Sequence, residues 1–228
     1  MRPGRLTETA AASRALTGLA VVASICFLAA WTGKEKRVKV TIADPTRQTR
    51  VFEPGGPYPP GMPSLKENER AACQSGFHVK AGVRCRFQKT GFEPVKLAAQ
   101  FSDVDVETGL AIDIWLPRGH TQAQIDHEEA HARISERVYR DLAEETARRL
   151  GAKFLGRKTR AFLMYENYEK LAEDATSEAA REISAEWANI LTAEAGRVND
   201  AFDALTDHGR KDIPIEQAIE AAFAKGRR

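Results

Sequence analysis

His127-Glu128-Glu129-Ala130-His131 is the one stretch of the chain whose residue types and spacing specify a reaction. A 3.6-residue period sets His127 and His131 about one turn apart on one helix face, so both imidazoles can reach a single metal ion. Glu128 falls about 100° further round, close enough to meet a metal-bound water without ligating the metal. Two imidazoles suit Zn²⁺, which lowers the pKa of its bound water towards neutrality, and Glu128 is then the group to deprotonate it. The bland alternative is a solvated Glu-rich helix that carries two surface histidines.

The surrounding residues favour the metal. His120 to Leu150 reads as one helix, with Ile125, Ala132, Ile134, Val138, Leu142 and Ala147 at helical spacing. His120-Thr121 offers a cap at its start, and Gly151 a stop. A catalytic zinc site also needs a third protein ligand. Ile134 and Arg137 stand where the tight HExxHxxGxxH form requires Gly and His, which excludes that class. Glu136 lies about 180° round from His127, and Glu145 is in phase but roughly 27 Å along the axis. The third ligand must therefore come from a later segment. Five histidines occur in the chain, and His208 is the only one after the motif. Its competitors are Glu166, Asp174, Glu178 and Glu182, and a simple hairpin about Gly151 to Gly156 brings Glu178 nearest the motif. Spacing alone leaves these open.

Phe202-Asp203-x-x-Thr206-x-His208-Gly209, Trp115-Leu116-Pro117 and the HExxH motif together resemble a bacterial family of predicted secreted zinc-dependent proteases of unknown function. The likeness spans roughly residues 38 to 222, but only these short motifs are specific. Phe202 stands where the family usually has Tyr. The resemblance implies a zincin-like fold, His127, His131 and His208 as zinc ligands, and Asp203 or Asp207 orienting an imidazole from behind.

Residues 15–31 carry no charge, with Arg2, Arg5 and Arg14 before them and Lys34, Lys36 and Arg37 after. This pattern reads as an export signal, either a cleaved signal peptide or a short membrane anchor over residues 1–34. The expected location is periplasmic or secreted, with membrane association through residues 15–31 if the segment is retained. Outside the signal stand only Cys73 and Cys85, whose spacing predicts a disulfide in an oxidising compartment. The formal net charge is +2 with both signs interspersed, which argues against a nucleic-acid partner and leaves a peptide or protein as substrate.

Residues 35–228 are long enough for one domain with a real core. Alternating apolar residues mark strands over Arg37 to Ala43, Phe77 to Phe87, Val95 to Phe101 and Gly109 to Trp115. Gly109 to Trp115 is the candidate edge strand to pair with extended substrate. Glu53 to Pro63 is a Pro- and Gly-rich loop read as a linker, with a lid over the cleft as the alternative. Helical periodicity continues over Lys158 to about Ala195, followed by a last short helix from about Pro214 to Lys225. The expected fold is α+β, a small antiparallel sheet followed by long helices, the first carrying HExxH. The expected function is an exported zinc metallopeptidase with Glu128 as general base. Tyr139, Tyr165 and Tyr168 are available to stabilise an oxyanion, and nothing in the spacing selects one. A membrane-anchored helical interaction protein with a structural or degenerate metal site is the alternative.

Overall fold

The computed structural model describes residues 37–65, 69–90, 96–160, 162–163 and 167–226. Residues 1–34, read as an export signal, lie outside the described residues, as do Tyr165 and Glu166. Among the described residues no helix is long and apolar enough to cross a membrane.

The sheet is organised around β4 (Lys96–Pro117), whose side chains alternate between buried and half-buried. The preceding strand β3 (Ala72–Thr90) pairs with it antiparallel along almost its whole length, with one register shift between Arg84 and Cys85. That pairing occupies one edge of β4. The other edge is therefore filled in segments, by β5 (Phe162–Leu163), then β1 (Arg37–Ile42), then β2 (Thr46–Phe52). Pro45 explains the gap between β1 and β2, because it has no N–H to give the ladder. Ala43 N donates to Thr108 O at 3.0 Å just before the break.

This sheet corrects two expectations. It is mixed rather than antiparallel, since β1 and β2 both run parallel to β4. A two-residue apolar period reports which face of a strand is buried and carries nothing about direction. Direction comes from the connections: the chain reverses from β2 to β3 and again from β3 to β4, which returns β4 parallel to β2. Gly109 to Trp115 is also not an edge, because β2 and β3 flank it on both sides. Its main chain has no free hydrogen-bonding face for a substrate.

Helix α1 (Gln122–Phe154) starts from a capping box, in which Thr121 Oγ1 accepts from Gln124 N and Gln124 Oε1 accepts from Thr121 N at 2.8 Å. Gly151 does not end it. A Cβ at that position would lie 2.8 Å from Val38 Cγ1, so the glycine lets the helix approach β1 closely. Between α1 and α2 (Tyr168–Thr206) the chain returns to the sheet, where Thr159 N donates to Ala99 O and Gly156 N to Phe101 O. This detour sets the helix register. His127 faces Asp203, His131 faces Asn199, and Trp187 Nε1 donates to Ala143 O at 3.0 Å. Four residues forward on α1 match four back on α2, and twelve match twelve, as antiparallel packing demands. α3 (Ile215–Gly226) closes the far side of α1 with a small core of Ile134, Val138, Phe202, Ala222 and Phe223.

The expected disulfide is absent for a geometric reason. Cys73 and Cys85 lie on the same strand, β3, roughly 40 Å apart at about 3.3 Å per residue. A disulfide needs Cα atoms within about 7 Å. Thermal unfolding should therefore give the same midpoint with and without a thiol reductant; a fall on reduction would show that a covalent link supports the fold.

Candidate metal centre

The antiparallel register of α1 and α2 brings His127, His131 and Asp203 to one point. His131 Nε2 lies 3.2 Å from His127 Nε2 and 3.1 Å from Asp203 Oδ1, and His127 Nε2 is 3.3 Å from the same oxygen. The imidazole orientation of His131 is set from behind, because its Nδ1 faces Asn199 Oδ1 at 2.8 Å. An amide oxygen only accepts, so Nδ1 carries the proton and Nε2 turns a lone pair inwards. Asp203 Oδ1 is buried with no hydrogen-bond donor to satisfy it, and His127 Nδ1 is likewise buried and unpartnered. Three acceptor atoms do not converge at 3.1–3.3 Å unless positive charge, a proton or a cation, sits among them. A tetrahedral metal held at about 2.0–2.2 Å separates its ligand atoms by roughly 3.3–3.6 Å, close to what is seen. His127, His131 and Asp203 could therefore hold a metal ion.

Electrostatics around this point follow from burial. Desolvation alone would raise the Asp203 carboxyl, but the imidazoles of His127 and His131 outweigh it and hold it well below the usual carboxylate range. Burial alone would lower His131, and Asp203, Asn199 and Glu128 reverse that and raise it. Glu128, 6 % exposed, is pushed up to about 7, first by burial, with His131 opposing and Asp203 and Glu69 adding.

The residues behind the donors hold them in place. Phe202, fully buried, stacks on the His127 ring at 5.2 Å and meets the His131 ring edge-on at the same distance. The Phe that departs from the family's Tyr is therefore a packing surface for both imidazoles. Beyond the end of α2, Asp207, His208 and Gly209 take positive φ angles of 53°, 53° and 78° in succession. Left-handed backbone at two non-glycine residues costs about 1–3 kcal/mol each and is found where surrounding structure enforces it. Here the anchors are His208 N donating to Asp203 O and Lys211 N donating to Thr206 O. Gly209 is required twice over, since its φ is positive and a Cβ would stand 3.1 Å from His127 Nδ1.

His208, implied as third ligand by the resemblance, stands beside the donors and not among them. Its Nδ1 is 3.8 Å from Asp203 Oδ2, the oxygen that faces away from the imidazoles, and its side chain is 37 % exposed. Asp203, implied as an orienting residue, supplies the oxygen at the centre. Asp174, Glu178 and Glu182 are exposed on α2 well away from the motif. Tyr139 is also elsewhere, its hydroxyl donating to Ala43 O at 3.0 Å, and Tyr168 packs on Phe87. The sequence held no signal for Asn199, because its role exists only once the helix register is known.

The three donors and Glu128 lie in a cavity of about 1100 Å³. Its polar wall comes from α2 and the following turn, with Asn199, Asp200 and His208. Phe52 at the end of β2 and the Pro- and Gly-rich segment that follows it also line the cavity, with Tyr58, Pro63 and Leu65. That segment is thus part of the cleft and not a linker. The edge available beside the cleft is the start of β3, at Ala72 and Cys73. The half-buried Cys73 thiol is pushed up to about 12, chiefly by desolvation with Glu128 adding, so it stays protonated.

The chain matches no protein-family model, no curated protein and no solved structure.

Two measurements test this geometry. Gly209→Ala should lower divalent-metal affinity at least about tenfold in chelator competition, as loss of a supporting residue does; unchanged affinity would mean that the turn does not press on His127. Glu128 titrates higher in the folded chain than the usual 4.5 of a free glutamate, so the metal-free chain loses stability as pH rises from there to about 7. Denaturant unfolding of metal-free Glu128→Gln should therefore gain on the parent protein across that window. A pH-independent difference would show that Glu128 is not buried as described.

Proposed function

We propose that this chain is an exported zinc metallopeptidase, with His127, His131 and Asp203 as protein ligands and Glu128 as general base. The observation that carries the reading is the convergence of three donor atoms at tetrahedral spacing, next to a buried carboxylate, inside a large cleft. Two imidazoles and one carboxylate form a donor set that suits Zn²⁺, and a three-ligand site leaves a position for water, as catalytic zinc sites do. When bound, zinc polarises a carbonyl and lowers the pKa of water. Glu128 has no ligand role in this set. Its burial keeps its proton affinity near neutrality, which suits a group that takes a proton from the attacking water and returns it to the leaving amine.

The ligand set departs from what the resemblance implies for His208. Donor spacing favours Asp203, while His208 lines the cleft and touches the ligand's outer oxygen. Export rests on the uncharged segment 15–31 and its basic flanks. A peptide substrate fits the size of the cleft and the general-base chemistry.

Zinc content and hydrolysis of a labelled protein substrate, measured on four forms of the full chain, test the reading. The parent should hold one zinc and cleave. Glu128→Gln should keep zinc and lose roughly 10²–10⁴-fold in rate, the range a general base supplies. Asp203→Ala should lose zinc, whereas His208→Ala should retain it. Loss of zinc in His208→Ala alone would return the ligand role to that residue. Hydrolysis by zinc-loaded Glu128→Gln at the parental rate would end the peptidase reading.

A further inference from the structure

The Pro- and Gly-rich side of the cavity is built with more order than its composition suggests. Two Pro-Gly turns shape it. Gly56 N donates to Glu53 O at 3.2 Å across Pro54-Gly55, and Met62 N donates to Pro59 O at 3.1 Å across Pro60-Gly61. The second residues of these pairs have φ of 79° and 87°. Proline at the second position and glycine near φ +80° at the third make both type II turns. Proline pre-sets its own φ, and only glycine takes the next position without strain, so each turn is organised before anything binds. The segment is tied to the start of α1's approach by Arg118 N donating to Phe52 O at 2.7 Å and by the Arg118–Glu53 ion pair.

Tyr58 sits between the two turns. It is 55 % exposed, one of three large hydrophobic residues so exposed among the described residues, yet its ring packs edge-on against the buried Phe52 at 6.2 Å. Tyr58, Phe52, Pro54, Pro63 and Leu65 all face the cavity that holds His127, Glu128 and His131. An aromatic ring held partly bare on a pre-ordered turn, continuous with the reactive centre, is what an apolar subsite requires. Ordering was done in folding, so little entropy is lost on binding.

We propose that Tyr58 is a specificity-determining residue of the cleft, and that it takes a large apolar side chain, Phe or Leu, flanking the bond to be cleaved in a peptide. The subsite rests on the peptidase reading for its substrate class. Phe52 packs edge-on against the Tyr58 ring, and the two Pro-Gly turns flank it on either side in the chain. The ring contacts substrate through its face, so the hydroxyl is dispensable.

Internally quenched peptides identical except for Phe, Leu, Ala or Asp at one position test this with the full zinc-loaded chain. The parent should prefer Phe and Leu over Asp in kcat/KM. Tyr58→Ala should lower that preference at least about tenfold, within the range a lost hydrophobic contact gives, with zinc content unchanged. Tyr58→Phe should keep the preference. Equal preference ratios in the parent and Tyr58→Ala would overturn the subsite. If the parent cleaves none of these peptides, the same set is measured for binding to the parent and to Tyr58→Ala by fluorescence anisotropy. Tighter binding of the Phe peptide that depends on Tyr58 would then uphold the subsite while the peptidase reading falls. Binding that is absent, or indifferent to Tyr58, would remove the subsite as well.

Discussion

Two imidazole nitrogens and a carboxylate oxygen are held within 3.3 Å of each other on facing helices, and most of the surrounding structure exists to keep them there. Three lone pairs facing one another would repel, so the arrangement is held by a proton or a cation shared among the three atoms. It survives because the helices that carry it are fixed elsewhere. Trp187, fully buried, reaches the Ala143 carbonyl across the helix pair, and Phe202 fills the space beneath both rings. Below them the sheet face contributes Val104, Val106, Ile112 and Ile114, all buried. Burial on this scale supplies the dominant favourable term in folding, and the repulsive centre is small beside it.

The sheet acts on the site through the path of the chain. After α1, residues 156–159 and then β5 lie along the edge of β4, ahead of α2 in the chain. A tight hairpin at Gly151 to Gly156 would have set Glu178 against the motif. The detour shifts the pairing of the two helices and brings Asn199 and Asp203 opposite His131 and His127 instead. A backbone connection remote from these side chains therefore decides which carboxylate meets the two histidines.

This also explains which parts were legible beforehand. HExxH is readable because its meaning is local: helical pitch alone places the two histidines and the glutamate, and Thr121 caps that helix as its type suggests. Strand positions were partly readable from alternation, but β2, with only Phe52 buried, has little alternation to find. Strand direction and the carboxylate that meets the two histidines depend on contacts between residues distant in sequence, whereas the Cys73–Cys85 separation follows from one strand running through both. Gly151 shows the same limit at one residue. Glycine after Leu150 reads as a helix stop, yet here it is the point where α1 presses against Val38 and Val104.

Features that oppose stability collect at one end of the molecule. Glu128 is buried with its proton affinity raised, Asp207 and His208 occupy left-handed backbone, Asp203 Oδ1 lacks a donor, and Tyr58 leaves aromatic surface in solvent. Each is unfavourable by itself, and none is needed to hold the sheet to the helices. Glu128, Asp203, His208 and Tyr58 border the same cavity. Strain, desolvated charge and bare apolar surface scattered over a protein would describe poor packing. Gathered around three converging donors that could hold a metal ion, they mark this cleft as the candidate functional site.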